Sequence, residues 1–371
     1  MVSQEIHERP GGSLYVGSIP RGCVLCEHGS KMVLFTTGLC DASCFYCPLS
    51  SEKAHRDIVF ADEMPVDNDE DILYEAEAIG AEGAGLSGGD PLCVLSRTLH
   101  YIQLLKDHFG SDFHLHLYTA QSDASSKTIQ SLADAGLDEI RFHPQGPDWS
   151  GIEAALRTNM TVGIEIPVLP DHDDSIKRTV VRADELGLAF VNLNELEASE
   201  TNFQRLRSRG YHLRDMSSAS IAGSAETAVR VLRWWSDHGG ISLHYCSSRY
   251  KDTVQMRNRL WRRLQHTQRE FEEADDDEPL LILGVVRAHH GERAELETLK
   301  RVYRVLAEEF GVPRELMNLD LQHERVEVAP WVFDEIADVL HERLPDARAL
   351  EIGIAYEYPT WDRLQVRFDP L

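Results

Sequence analysis

Positive charge is scarce in this chain: 37 Lys and Arg stand against 62 Asp and Glu in 371 residues, a formal net charge of −25. Such a deficit argues against a broad, non-specific nucleic-acid surface, which needs cations to neutralise phosphates, although a local basic groove is compatible with an acidic average. The excess acid fits a salt-adapted, halophilic cytoplasm, where concentrated ions screen self-repulsion. Long apolar runs are also missing, so no membrane partner is expected. The opening residues, through Glu5, His7, Glu8 and Arg9, lack the basic flank and apolar core of a signal peptide, and the expected location is cytoplasmic. Low-complexity tracts are absent, and 42% hydrophobic with 8% aromatic residues places the chain in the globular class. Only seven cysteines occur, and five of them (Cys23, Cys26, Cys40, Cys44 and Cys47) crowd into the first fifty residues, leaving Cys93 and Cys246 apart. An odd, clustered set in a chain without a secretion signal points to metal binding before disulfides.

After an irregular start, short apolar runs alternate with longer amphipathic ones, the βα pattern of a parallel sheet. Strands are expected at Met32–Thr36, Gly83–Ser87, Phe113–Thr119, Glu139–Phe142, Val162–Val168, Phe190–Leu193 and Ile241–Tyr245. Helices are expected near Asp69–Ile79, Ser96–Phe109, Ser125–Ala135, Ser150–Thr158, Asp174–Leu186 and Ala225–His238. Chemically unusual residues fall just after these strands, where a βα barrel builds its site: the cysteines after the first, Gly88–Pro91 after the second, Gln121 after the third, His143 after the fourth. The expected fold class is therefore α/β, a partial or complete (β/α) barrel over 31–250. An N-terminal segment with a CxxC, 1–30, precedes it, and a helical, acidic linker over 251–278 follows. A small C-terminal α/β domain should fill 279–371, with strands at Leu280–Val286, Leu319–Val328, Leu350–Ala355 and Leu364–Phe368 around helices near Glu295–Glu309 and Trp331–Leu344.

Cys40, Cys44 and Cys47 are spaced CxxxCxxC within TTGLCDASCFYCPLS, on the loop leaving the first strand. Three thiolates on one tight loop can ligate three irons of a cubane and leave the fourth open to a small molecule. A zinc loop is the bland alternative, but zinc loops usually pair cysteines as CxxC. These residues resemble the radical S-adenosylmethionine (SAM) superfamily, and among its branches proteins related to pyruvate formate-lyase activating enzyme, over roughly residues 30 to 250. The resemblance implies a [4Fe–4S] cluster whose open iron binds the amino and carboxylate groups of SAM. It also implies one-electron cleavage to a 5′-deoxyadenosyl radical, with ferredoxin or flavodoxin as reductant.

The same resemblance suggests further cofactor contacts. Tyr46 holds the aromatic place before the last cysteine, beside the cluster and the adenine. Gly88, Gly89, Asp90 and Pro91 resemble the glycine-rich GGEP-like motif that receives the methionine amino group. By position, Thr119, Gln121, Arg141, His143 and the stretch Glu165 to Pro167 would touch ribose, carboxylate and adenine; each could equally be a capping or loop-stabilising group. Asn192, Asn194, Glu195 and Glu197, followed by Glu200, Thr201 and Asn202, suit a polar substrate as well as they suit an acidic surface.

Cys23 and Cys26 form a CxxC ahead of the first strand, and His244 and Cys246 lie two apart on a strand, hence on one face. Cys23, Cys26 and Cys246, with His244 or an outside group, could hold an auxiliary iron–sulfur cluster or zinc; buried thiols acting as small hydrophobes are the alternative. Cys93, flanked by Leu92, Val94 and Leu95, reads as such a thiol. Two other classes compete: an iron–sulfur electron-transfer protein without SAM cleavage, and a zinc-stabilised RNA-binding module. Within the favoured class the substrate, whether protein, RNA or small molecule, is open.

Overall fold

The computed structural model describes residues 4–289, 293–344 and 349–371. The chain divides into two compact units, 1–259 and 260–371. The division falls inside the helix Arg257–Thr267, within the 251–278 stretch that the sequence suggested as a linker. No helix among the described residues is long and apolar enough to cross a membrane.

The large unit is built on one eleven-stranded sheet. Its strands are β1 (Ile6–Glu8), β2 (Leu14–Val16), β3 (Lys31–Phe35), β4 (Phe60–Ala61), β5 (Met64–Pro65), β6 (Gly83–Ser87), β7 (His114–Thr119), β8 (Glu139–Phe142), β9 (Thr161–Val168), β10 (Phe190–Glu195) and β11 (Ser242–Cys246). From β3 through β6 to β11, seven neighbours run parallel, which is the partial form of the expected barrel. Neither open edge is bare. The antiparallel β4–β5 hairpin covers β3, and β2 pairs antiparallel with β11, Val16 opposite Leu243. The N-terminal residues are thus part of the barrel sheet, whereas the sequence reading set 1–30 apart. Three-residue strands carry no periodicity that would announce such a pairing.

Alternation assigns the faces. Leu34, Leu86, Leu117, Ile140, Ile164, Leu193 and Leu243 point outward into one apolar core shared with the surrounding helices. Those helices start where local chemistry favours it. Asn68 and Asp71 form a reciprocal capping box before Asp69–Ala78, and Ser125 accepts from the Thr128 amide at 3.1 Å before Ser126–Asp134. The inner face of the sheet carries the polar partners in the alternation: Lys31, His114, His116, Tyr118, Glu139, Arg141, Glu165, Asn192 and His244.

The small unit contains β12 (Glu273–Ala274), β13 (Leu281–Ala288), β14 (Met317–Asp320), β15 (Arg325–Val328), β16 (Leu350–Glu357) and β17 (Gln365–Pro370). They form an antiparallel sheet in the order β14-β15-β13-β16-β17, with β12 on β13. The helices Leu296–Glu308 and Pro330–Arg343 accompany it. The single strand expected over Leu319–Val328 is a hairpin, because Asp320 accepts from the amides of Gln322 and His323 at 3.0 and 3.1 Å and turns the chain.

Candidate functional site

A cavity of about 600 Å³ opens at the C-terminal ends of the parallel strands and reaches down the inner face of the sheet. Its rim carries Cys40, Cys44, Tyr46, Cys47, Gly88 and Gly89, its wall Thr119, His143, Glu165, Pro167 and Asn194, and its depth Lys31, Tyr118 and Arg141. Apart from Lys31 and Tyr118, these are residues the sequence singled out, and the fold places them around one space. Asp90, Pro91 and Gln121 stand off the lining.

The cysteine loop between β3 and β4 is held from three sides. From within, Gly38 donates to the Arg56 carbonyl at 2.8 Å and receives the His55 amide at 2.9 Å. From the β6 side, the Gly89 and Asp90 amides donate to the carbonyls of Thr37 and Leu39, both at 2.7 Å. This contact explains the two glycines: a Cβ on Gly88 would lie 2.4 Å from the Thr37 oxygen, and one on Gly89 2.2 Å from that of Leu39. From the β10 side, Asn202 donates to the Tyr46 carbonyl at 2.9 Å, Thr201 to that of Leu49 at 2.6 Å, and Glu200 accepts from the Ser51 hydroxyl at 3.0 Å. Residues grouped with a polar substrate are therefore employed in positioning the loop.

Asp90 has a similar internal role. Its carboxylate accepts from the Leu92 amide at 2.9 Å, the Thr119 hydroxyl at 3.0 Å and the Ala120 amide at 2.9 Å, tying β6 to β7, while burial pushes its pKa up. Gln121 turns toward Cys93, 3.9 Å from its Sγ.

The three loop thiols are free and half-buried, and burial raises Cys40 to about 11. Their sulfurs do not all lie within 4.8 Å of one another. Tyr46 meets His143 with hydroxyl and Nε2 2.9 Å apart and the rings stacked at 5.7 Å. Burial lowers His143 to about 4, so its imidazole is neutral near pH 7 and can accept the Tyr46 proton.

Deeper down, Arg141 bridges Glu139 at 2.6 Å and Glu165 at 2.7 Å, and Asn194 donates to the other Glu165 oxygen at 2.8 Å. The guanidinium holds Glu139 down to about 2 and Glu165 below the ordinary range, against burial. Lys251 pairs with Glu197 at 2.6 Å, and Glu195 accepts from the Ser248 amide at 2.8 Å. Asn192, buried, donates to Asn194 at 3.4 Å.

Sequence reasoning missed one cluster here. His114, His116 and Glu139 place their ligand atoms within 4.8 Å of one another. The alternation in HLHLY was the available signal. With Arg141 already on the Glu139 carboxylate, a dication there would face a buried guanidinium, and we assign the trio to the ionic network.

The tentative second set is also located. Cys23 and Cys26 sit on a helix, α1 (Arg21–Glu27), and Cys246 ends β11. Both Cys23 and Cys246 are buried, as is His244, which burial and the neighbouring Arg9 hold down to about 3.

Comparison with known proteins adds two family matches: the radical SAM superfamily over residues 34–162, and a domain of unknown function, DUF8061, over 280–371. A protein of Methanocaldococcus jannaschii, provisionally described as a glycyl-radical enzyme activating enzyme, is 34% identical over 367 residues, covering 95% of this chain and 93% of that one. Among solved structures, SuiB of Streptococcus suis bound to SAM aligns with a TM-score of 0.42 and 11% identity, covering 59% of this chain and 50% of its own. The radical SAM methyltransferase TsrM of Kitasatospora setae gives 0.36 and 12%, covering 68% and 55%. The chain thus spans about half the length of these structures.

Proposed function

Because the chain belongs to the radical SAM superfamily and is an enzyme whose cofactors are a [4Fe–4S] cluster and SAM, we propose that Cys40, Cys44 and Cys47 hold the cluster and that the cavity below them receives SAM. We further propose that the reaction abstracts hydrogen from a partner protein, a reading supported by the description of the archaeal relative. The observation that carries the assignment is the meeting of three free thiols, on one loop pinned from three sides, with the mouth of a cavity. When bound, the cluster and SAM supply one-electron cleavage of the sulfonium and hence a carbon-centred radical.

The chain's own residues position and balance. Asn202, Thr201 and Glu200 fix the loop, so that the thiols keep their spacing without ligand. Tyr46, braced by His143, presents an aromatic face at the rim. Glu165, kept ionised by Arg141 and Asn194, is a fixed acceptor on the wall for hydroxyl or ammonium groups. The amides of Gly89 and Asp90 are committed to the loop, so a ligand there meets other groups. A ferredoxin or flavodoxin would deliver the electron.

The test is anaerobic reconstitution, iron and sulfide analysis, and reduction with dithionite and SAM, followed by chromatography for 5′-deoxyadenosine beside a Cys44→Ala control. The nucleoside is expected from the native protein and not from the control. An iron-loaded protein that makes none, or a colourless one carrying zinc, overturns the reading. A partner protein that acquires a radical signal only in the complete mixture supports the protein substrate, and deuterium from a labelled small molecule appearing in 5′-deoxyadenosine overturns it.

A further inference from the structure

The helix α1 is lodged on the inner face of the large sheet. A Cβ on Gly22 would lie 2.7 Å from Arg141 Nη2 and 2.8 Å from His116 Nδ1, and one on Gly83 would lie 2.7 Å from the Leu25 side chain. Cys23 and Cys26, three apart on this helix, share a face. Cys246 stands on the inner face as well, since its register partner on β10 is the cavity-lining Asn194. All three thiols are free.

We propose that Cys23, Cys26 and Cys246 hold a second iron–sulfur cluster at the floor of the barrel, with His244 Nδ1 as the fourth ligand the geometry offers.

Three observations lead there. The first is charge. Buried Arg141 and the partly exposed Lys31 and Lys251 are the cations whose charge bears on these thiols. Arg141 and Lys251 have carboxylates, but among the described residues Lys31 has none. Lys31 lines the cavity partly exposed, and the groups acting on it are Cys26, Tyr118, whose ring its ammonium overlies at 6.0 Å, and Cys23 rather than a carboxylate. Thiolates bound to a metal centre would supply the missing negative charge. The second is His244, which is 1% exposed and whose Nδ1 has no hydrogen-bond partner, while Nε2 lies 3.3 Å from Arg9. An orphaned ring nitrogen two residues from Cys246 on the same strand face is placed as a ligand would be. The third is placement: Arg9 pairs with Glu27, the residue after Cys26, and also meets His244, which brings the end of α1 and the β11 ligands to one place.

This inference stands apart from the assignment of the rim cysteines, and reciprocal variants keep the two distinguishable. Iron, acid-labile sulfide and zinc would be measured in the reconstituted native chain, in a Cys40→Ala, Cys44→Ala, Cys47→Ala variant and in a Cys23→Ala, Cys26→Ala, Cys246→Ala variant, with electron paramagnetic resonance after reduction. Each triple variant is expected to keep half the native iron and sulfide, and the rim variant to retain a reduced-cluster signal that His244→Ala shifts. If the floor variant fails to fold, the rim variant alone decides. A rim variant empty of iron while the native chain is loaded, or one that carries zinc, overturns the second cluster and leaves the first intact. A native chain that loads iron only at the floor would overturn the first and keep the second.

Discussion

Both units bury charged side chains among strands, yet they finish the task differently. In the small unit Arg325 donates to Glu327 at 2.8 Å and to Glu357 at 2.9 Å, Arg269 reaches Glu327 at 2.5 Å and Glu272 at 2.9 Å, and Asn318 takes a remaining Glu327 oxygen at 2.8 Å. The charges there cancel within the unit. In the large unit the interior is left incomplete: among the described residues Lys31 has no carboxylate, and Asn192 Oδ1 and His244 Nδ1 are buried without hydrogen-bond partners. A network that closes on itself holds a fold together, whereas one with open valences is a place prepared for something else.

The sharpest way to break the contrast is Glu327→Ala. It removes the shared acceptor of Arg325, Arg269 and Asn318 and leaves Arg325 on Glu357 and Arg269 on Glu272 alone, which should cost about 2–3 kcal/mol, read by urea denaturation. Acid should separate the units next. Glu139 is held down to about 2, so its contribution is complete above the ordinary 4.5 and is lost as pH falls toward 2, at up to about 1.4 kcal/mol per pH unit. His143 and His244, depressed to about 4 and 3, act with the same sign from about pH 6.5 downward, because the unfolded chain takes up their protons first. His323 in the small unit is raised by Asp320, so its contribution is present below 6.5 and fades as pH rises through its folded value. Thermal unfolding followed separately in the two units between pH 7.5 and 5 should therefore move in opposite directions.

Asn202→Ala is expected to be milder. It removes bonds to the Tyr46 and Glu197 carbonyls, about 1–3 kcal/mol locally, and should lower 5′-deoxyadenosine formation without shifting the main unfolding transition. Smallest, and opposite in sign, Lys31→Met should stabilise the metal-free protein by at most about 1 kcal/mol, since it deletes a partly exposed charge that has no carboxylate among the described residues. A loss of stability there, measured by calorimetry, would mean that Lys31 is satisfied without a ligand.

How much of this was legible in the sequence depended on range. The seven parallel strands were readable because alternation within six or eight residues reports which side is buried, as in HLHLYT, with leucines outward and polar rings inward. The cysteine loop was readable because its spacing is local. The glycines of GGDP were found for a ligand's sake, but the close neighbour is the cysteine loop itself, some fifty residues back, and sequence alone does not show which backbone a glycine admits. Asn202 and Thr201 were noticed as polar and given to a substrate; their work on Tyr46 and Leu49 depends on a contact across about 150 positions. The turn at Asp320 was missed although its Asp-x-x-His pattern was present, because apolar residues on both sides read as one continuous strand.

The pairing of β2 with β11 has a consequence in time. Residues near Val16 leave the ribosome early, yet the strand they must join, at Leu243, is made more than two hundred residues later. The segment of β2, which is synthesised well before its partner strand, and α1 with its two cysteines beside it, are therefore among the last to settle. Closing so long a loop makes this step slow relative to the local βα units, and until it is complete the interior of the sheet stands open from beneath as well as from above.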